Sequence, residues 1–260
     1  MHNPWFAQRG PREEESGIRL FCLPYAGGSA SAYRAWSGLA PDRVRVHPLE
    51  LPGRGTRWGE TPVARMPLMT ESLADALAEH LDRPYGLFGH SMGALIAFEL
   101  TRTLRAKGLP LPRHLFVSGS NAPDLPRTRR PIHTAPDTEV VEELRFLGGT
   151  PAELLEDPAL MKLVLPALRA DFSLLETYRY QAQSPLPMPM TVFGGDRDPL
   201  VKSGQLHRWL RQTSAAGRLE ILPGEHFFLH SAAAKMLTTI AEDLAPLEAL
   251  PDPAAQRDVV

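Results

Sequence analysis

One stretch limits the possible folds of this chain more than any other. It runs Tyr85-Gly86-Leu87-Phe88, then Gly89-His90-Ser91-Met92-Gly93, then Ala94-Leu95-Ile96-Ala97-Phe98-Glu99-Leu100-Thr101-Arg102. The first run reads as a short buried strand, and the last as an apolar-faced helix continuing to a stop at Gly108. Between them the pentapeptide fits G-x-S-x-G, a turn tight enough to hold its serine in a strained backbone conformation. The two glycines leave room for neighbouring elements to close in, and the hydroxyl projects from the carboxyl edge of a sheet at the positive end of a helix. Five residues with two glycines recur by chance, so the strand before and the helix after carry the weight of the reading.

Strands and helices alternate along most of the chain, which predicts a mostly parallel central sheet flanked by helices. Residues 18–23, 44–49, 85–88, 114–118, 190–193 and 219–222 read as strands. Residues 33–39, 69–81, 92–107, 201–211 and 232–244 read as the covering helices. The stretch 120–183 breaks the alternation with a Pro- and Arg-rich loop followed by helical patterns. Within it Leu160, Leu163, Val164, Ala167, Leu168, Phe172 and Leu175 recur at i, i+3, i+4 spacing, and Pro166 should bend that helix. Placed on the edge that carries the loops, this helical insertion is expected to act as a lid, with Leu163, Leu168 and Phe172 on the underside of a chamber. The plainer reading is an extra helical layer that only packs. At 260 residues a single domain is expected, with the ends 1–17 and 251–260 loosely ordered.

A serine hydroxyl becomes a nucleophile only when a base takes its proton and a third group orients that base. On such a scaffold the partners follow in the order Ser, Asp or Glu, His. Beyond Met190-Thr191-Val192-Phe193 lies Gly194-Gly195-Asp196-Arg197-Asp198-Pro199, an acid-bearing loop at a strand end. Beyond Leu219-Glu220-Ile221-Leu222 lies Pro223-Gly224-Glu225-His226-Phe227-Phe228-Leu229, which makes His226 the candidate base for Ser91. Asp198 is favoured as the acid, because it stands three residues beyond Gly195 and Pro199 disfavours helical geometry there. Asp196 is the alternative, and would otherwise cap the loop. His90 reads as a packing or loop residue, since neighbouring side chains diverge at a sharp elbow, and His230 as the start of the last helix. His2, His47, His80, His114, His133 and His207 read as surface or edge residues.

A tetrahedral oxyanion needs two convergent N–H donors. One is expected from Met92, the other from the loop Pro24-Tyr25-Ala26-Gly27-Gly28-Ser29 after the first strand, where Ala26 is the candidate. Paired glycines let that backbone approach a reacting carbonyl closely. Neither G-x-x-x-x-G-K-[ST] nor G-x-G-x-x-G occurs, which argues against a phosphate-cradling loop.

Several further segments fall in one order with these. They are Leu23-Pro24-Tyr25-Ala26-Gly27-Gly28-Ser29, Leu51-Pro52-Gly53-Arg54-Gly55, Phe88-Gly89-His90-Ser91-Met92-Gly93-Ala94, Leu147-Gly148-Gly149-Thr150-Pro151, Leu165-Pro166-Ala167-Leu168-Arg169-Ala170-Asp171-Phe172 and the His226 loop. The set, spread over residues 18–245, resembles the type II thioesterases of polyketide or nonribosomal peptide biosynthesis, which are α/β-hydrolases. The resemblance implies that Ser91, Asp198 and His226 form a triad, with Ala26 and Met92 as oxyanion donors. It implies as partner an acyl or peptidyl carrier protein of a polyketide synthase or nonribosomal peptide synthetase. Acyl groups would be hydrolysed from its phosphopantetheine arm, clearing stalled assembly lines, with no cofactor of the enzyme's own. Glu225 departs from the glycine that many relatives carry before the histidine.

A formal charge of −2 gives no electrostatic reason to expect nucleic acid or an anionic membrane as partner. The single cysteine, Cys22, excludes an internal disulfide and suits a reducing cytoplasm. No Cys or His spacing suggests a metal, and no apolar run is long enough for a signal or a membrane span. A cytoplasmic monomer is therefore expected. Arg127, Arg129 and Arg130 read either as a solvated loop or as a dock for an acidic carrier or its phosphate. The rival functions are a small-molecule esterase on the same scaffold and a non-catalytic binding protein, the latter requiring a broken Ser, Asp, His set.

Overall fold

The computed structural model describes residues 3–7, 10–11 and 16–245. Its strands are β1 Ile18–Leu23, β2 Val44–Pro48, β3 Tyr85–His90, β4 His114–Ser118, β5 Met190–Gly195 and β6 Gly217–Leu222. All pair in parallel, in the order β2-β1-β3-β4-β5-β6. The helices are α1 Trp36–Leu39, α2 Met66–Leu77, α3 Met92–Ala106, α4 Asp137–Leu147, α5 Ala152–Glu156, α6 Pro158–Thr177, α7 Phe228–Ser231 and α8 Ala233–Leu244.

The two-residue period of a strand divides the core in two. Phe21, Leu23, Leu87, Leu115, Val117, Met190 and Val192 face α2 and α3. Leu20, Cys22, Phe88, Phe116 and Phe193 face α1 and α8 on the other side. From β1 the chain passes through α1 to β2 on one flank, and from β3 through α3 to β4 on the other. Because α1 and α3 lie on opposite faces, the loops leaving β1 and β3 diverge and open a crevice between them. Those loops carry Ala26 and Ser91.

Two expectations need correction here. Residues 201–211 form a 3-10 helix, Ser203–Gln212, whose buried Leu206, Trp209 and Gln212 recur every three residues, the period of that helix. In the N-terminal stretch, Trp5 and Phe6 are part of the core, not loosely ordered. Phe6 bridges to Leu49, the Trp5 carbonyl accepts from Glu50 N–H at 2.8 Å, and the Arg57 guanidinium lies 4.1 Å over the Trp5 ring. Two buried aromatic rings outweigh the polar composition around them. Residues 251–260 lie outside the described residues.

Histidines 47 and 114 are buried, against the surface reading. His114 Nε2 lies 2.8 Å from Thr191 Oγ1, which itself donates to Asp243 at 2.6 Å, so the imidazole donates there and needs no charge. Burial pushes its pKa down to about 4, against about 6.5 in an unfolded chain. Between those values the unfolded chain holds the extra proton, so stability falls as pH drops through that window. His90, also buried with a lowered pKa, acts in the same direction. A melting-temperature series from pH 7 to 4 should decline, and His114→Gln should flatten part of the decline. An unchanged slope in that variant would remove His114 as a cause.

Candidate active site

Among the described residues Ser91 is the only non-glycine with positive φ, at 54° with ψ −113°. Its turn is forced by close backbone approach. A Cβ at Gly89 would stand 2.0 Å from Gly93 O, and one at Gly93 would stand 2.2 Å from Leu23 O. Ser91 N–H donates to Ser118 O at 2.8 Å, tying the turn to the end of β4.

His226, in the loop after β6, brings Nε2 to 3.0 Å from Ser91 Oγ and Nδ1 to 2.8 Å from Asp198 Oδ2. A carboxylate only accepts, so Nδ1 carries the proton and Nε2 turns its lone pair to the serine hydroxyl. The other oxygen of Asp198 accepts from Leu200 N–H at 2.8 Å and Val201 N–H at 3.1 Å, and its side chain is fully buried. Asp196 instead accepts from Gly224 N–H at 2.8 Å and is 44% exposed, holding the His226 loop from outside. The loop thus gives its two aspartates different jobs.

Sequence reasoning gave His90 no more than packing, yet it touches the same machinery. Its Nε2 lies 2.9 Å from the carbonyl oxygen of His226, and its Nδ1 2.9 Å from Ser118 Oγ. The carbonyl can only accept, so His90 is protonated at Nε2 and receives the Ser118 hydroxyl at Nδ1. Burial first, then the neighbouring His226, hold its pKa well below the usual value and keep it neutral. A histidine beside the serine was the only signal available for this support of the His226 backbone.

Met92 opens α3, so its N–H has no acceptor within the helix. Ala26 N–H has no acceptor among the described residues, whereas Gly27 and Gly28 N–H groups are both engaged. Both residues line a cavity of about 230 Å³ together with Ser91, His226, Phe172 and Leu175.

Residues of the insertion, among them Leu125, Arg127, Leu147, Phe172 and Leu175, line this cavity, and the insertion has its own apolar cluster of Val140, Leu144, Leu155, Met161, Leu165, Leu168 and Phe172. Of the three expected lid contacts, Phe172 lines the cavity and Leu168 packs on the Ala26 loop, reaching 2.7 Å from where a Gly27 Cβ would be. Leu163 does neither, being 55% exposed. Leu163 projects about 160° around the helix from the stripe through Met161, Leu165, Leu168 and Phe172, which packs into that cluster. The helix continues through Pro166. Arg129 and Arg130 are paired with Glu143 and Glu139, which leaves Arg127 as the cavity-wall cation without an ion pair among the described residues. Among the described residues no group of three or more His, Cys, Asp or Glu could hold a metal, and no helix is long and apolar enough to cross a membrane.

A model of the thioesterase domain family matches residues 18–246. The chain belongs to this thioesterase family. The gramicidin S biosynthesis protein GrsT of Aneurinibacillus migulanus is 40% identical over 93% of this chain and 94% of its own length. The RedJ thioesterase of the prodiginine pathway in Streptomyces coelicolor superposes with a TM-score of 0.83 at 41% identity, covering 91% of this thioesterase and 94% of that chain. The type II thioesterase BorB of the borrelidin biosynthetic cluster gives 0.81 at 36% identity, covering 92% and 96%. The resemblance carried by the motifs and the α/β-hydrolase fold class both hold. As a thioesterase of this family the chain is a thioester hydrolase.

Proposed function

We propose that this thioesterase hydrolyses acyl groups from the phosphopantetheine arm of an acyl or peptidyl carrier protein, through an acyl-enzyme on Ser91. The observation that carries the reading is His226 suspended between Ser91 and a buried Asp198, at the wall of a cavity lined by both apolar and polar side chains. His226 Nε2 takes the serine proton as Oγ attacks the thioester carbonyl, and the oxyanion is held by Ala26 and Met92 N–H. The carbon–sulfur bond breaks, the proton on His226 passes to the leaving sulfur, and the acyl group stays on Ser91. His226 then takes a proton from water, whose oxygen attacks the ester, and returns it to Oγ as the free acid leaves. A thiol, with a pKa near 8.5, leaves more readily than an alkyl alcohol, so expelling it demands less of His226 as an acid than cleaving an alkyl ester would. No resident cofactor enters any step. The names of its relatives, drawn from gramicidin, prodiginine and borrelidin biosynthesis, support a carrier-borne substrate.

Rates on a panel of acyl-carrier proteins of rising chain length, beside the same acyl groups on free pantetheine, test this reading. Carrier-borne substrates should be preferred, and simple aryl esters should be poor. Phe172→Ala should move the preference toward bulkier acyl groups, because Phe172 borders the cavity. Equal rates with and without the carrier would refute the carrier as partner. A dominant aryl-ester activity would make the protein an esterase.

A further inference from the structure

Arg54 and Asp171 stand 117 residues apart and meet out of water, their side chains 7% and 0% exposed. Arg54 lies in the turn after β2, and Asp171 on α6 beside the cavity-lining Phe172. The guanidinium donates to both carboxylate oxygens, Nη1 to Oδ2 at 2.6 Å and Nη2 to Oδ1 at 2.7 Å. Neither residue touches Ser91, His226 or Asp198 through a hydrogen bond.

What the pair does touch is the loop after β1. Asp171 Oδ2 accepts Gly27 N–H at 2.8 Å, and Arg54 Nη1 donates to Gly28 O at 3.2 Å. Gly27 itself sits at φ +75° beneath Leu168 of the same lid helix. The two residues that follow Ala26 are therefore held by one ion pair, and Gly27 N–H is consumed by it. The Ala26 N–H itself has no acceptor among the described residues. An ion pair is a poor choice if stability were the sole requirement, since apolar replacements of similar volume are often neutral or stabilising. It is a good choice where two backbone groups of opposite polarity must be gripped in a fixed geometry.

We propose that Arg54 and Asp171 are positioning residues that set the Ala26 N–H for oxyanion binding and fasten helix α6 to that loop. The proposal rests on the reading of Ala26 as an oxyanion donor. It makes α6 a fixed wall of the lid, so that the turn bearing Phe172 and the oxyanion donor keep one geometry.

The test is the double variant Arg54→Met with Asp171→Leu, which removes both charges without stranding either one. It should fold, shown by circular dichroism and a cooperative melt. On acyl-pantetheine its kcat should fall roughly 30- to 100-fold with KM changed less than about threefold, the signature of a misplaced transition-state donor. Affinity for an acyl trifluoromethyl ketone, which forms a tetrahedral adduct on serine, should fall in parallel, while affinity for the amide analogue of the substrate should hold. A folded double variant with kcat within about threefold of wild type, or a loss confined to KM, overturns the proposal. If the double variant does not fold, Asp171→Asn and Arg54→Lys, assayed below their melting temperatures, are judged by the same two criteria. Labelling of wild-type Ser91 by a fluorophosphonate separates the two levels. A wild type that does not label overturns the serine mechanism, whereas a labelled wild type with indifferent variants overturns only the positioning role.

Discussion

Ser91→Ala is expected to lower turnover by roughly four to six orders of magnitude while the fold persists. The substitution removes one oxygen from a turn whose shape is dictated elsewhere, by Gly89 against Gly93 and by Gly93 against Leu23. The positive φ at position 91 remains, and alanine meets it with no more steric difficulty than serine. His226 keeps its bond to Asp198, and the Ala26 and Met92 N–H groups keep their places, so a residual rate above water is expected from the oxyanion site and binding alone. Turnover on acyl-pantetheine, with intact-mass detection of an acyl adduct in wild type and its absence in the variant, checks this. A correctly folded variant retaining more than a tenth of wild-type turnover would show that the nucleophile is elsewhere.

Asp198→Asn should cost about four orders of magnitude in kcat, and the geometry says why. One oxygen of Asp198 already accepts two backbone N–H groups, from Leu200 and Val201. An asparagine must keep its carbonyl oxygen there, since its amide nitrogen cannot accept. The NH₂ group then faces His226 Nδ1, which must become an acceptor. The proton moves to Nε2, and the imidazole loses the lone pair that faced Ser91. Asp196→Asn meets a different fate, for its carbonyl can go on accepting Gly224 N–H and its side chain is partly exposed to solvent. Its kcat should stay within about threefold of wild type, an interaction change well below 1.4 kcal/mol. Steady-state rates of both variants on one substrate decide the matter. The reverse ranking would give the orienting role to Asp196.

Much of the molecule is set by local sequence. The four inner strands follow from short apolar runs, because a strand buried on both faces leaves few polar positions to disguise it, whereas the edge strands β2 and β6 are partly exposed and carry charged residues. The elbow at Ser91 follows from Gly89 and Gly93, since each glycine stands where a Cβ would strike backbone. The order Ser91, Asp198, His226 follows from the order of the strands, as each residue sits just past a strand's carboxyl end. These are properties of neighbouring residues, and a linear reading reaches them.

Tertiary packing decided the rest. Asp196 and Asp198 share one loop, and only the placement of β6 beside β5 shows which carboxylate meets His226 and which meets Gly224 N–H. Helix α6 carries apolar residues on more than one face, so periodicity alone could not choose between the stripe through Leu163 and the one that packs inward. His90 holds the carbonyl of a residue 136 positions away, and Arg54 holds Asp171 across 117. Such contacts depend on which elements the sheet order and the lid bring together, and a polar side chain is buried only when that assembly supplies its partner.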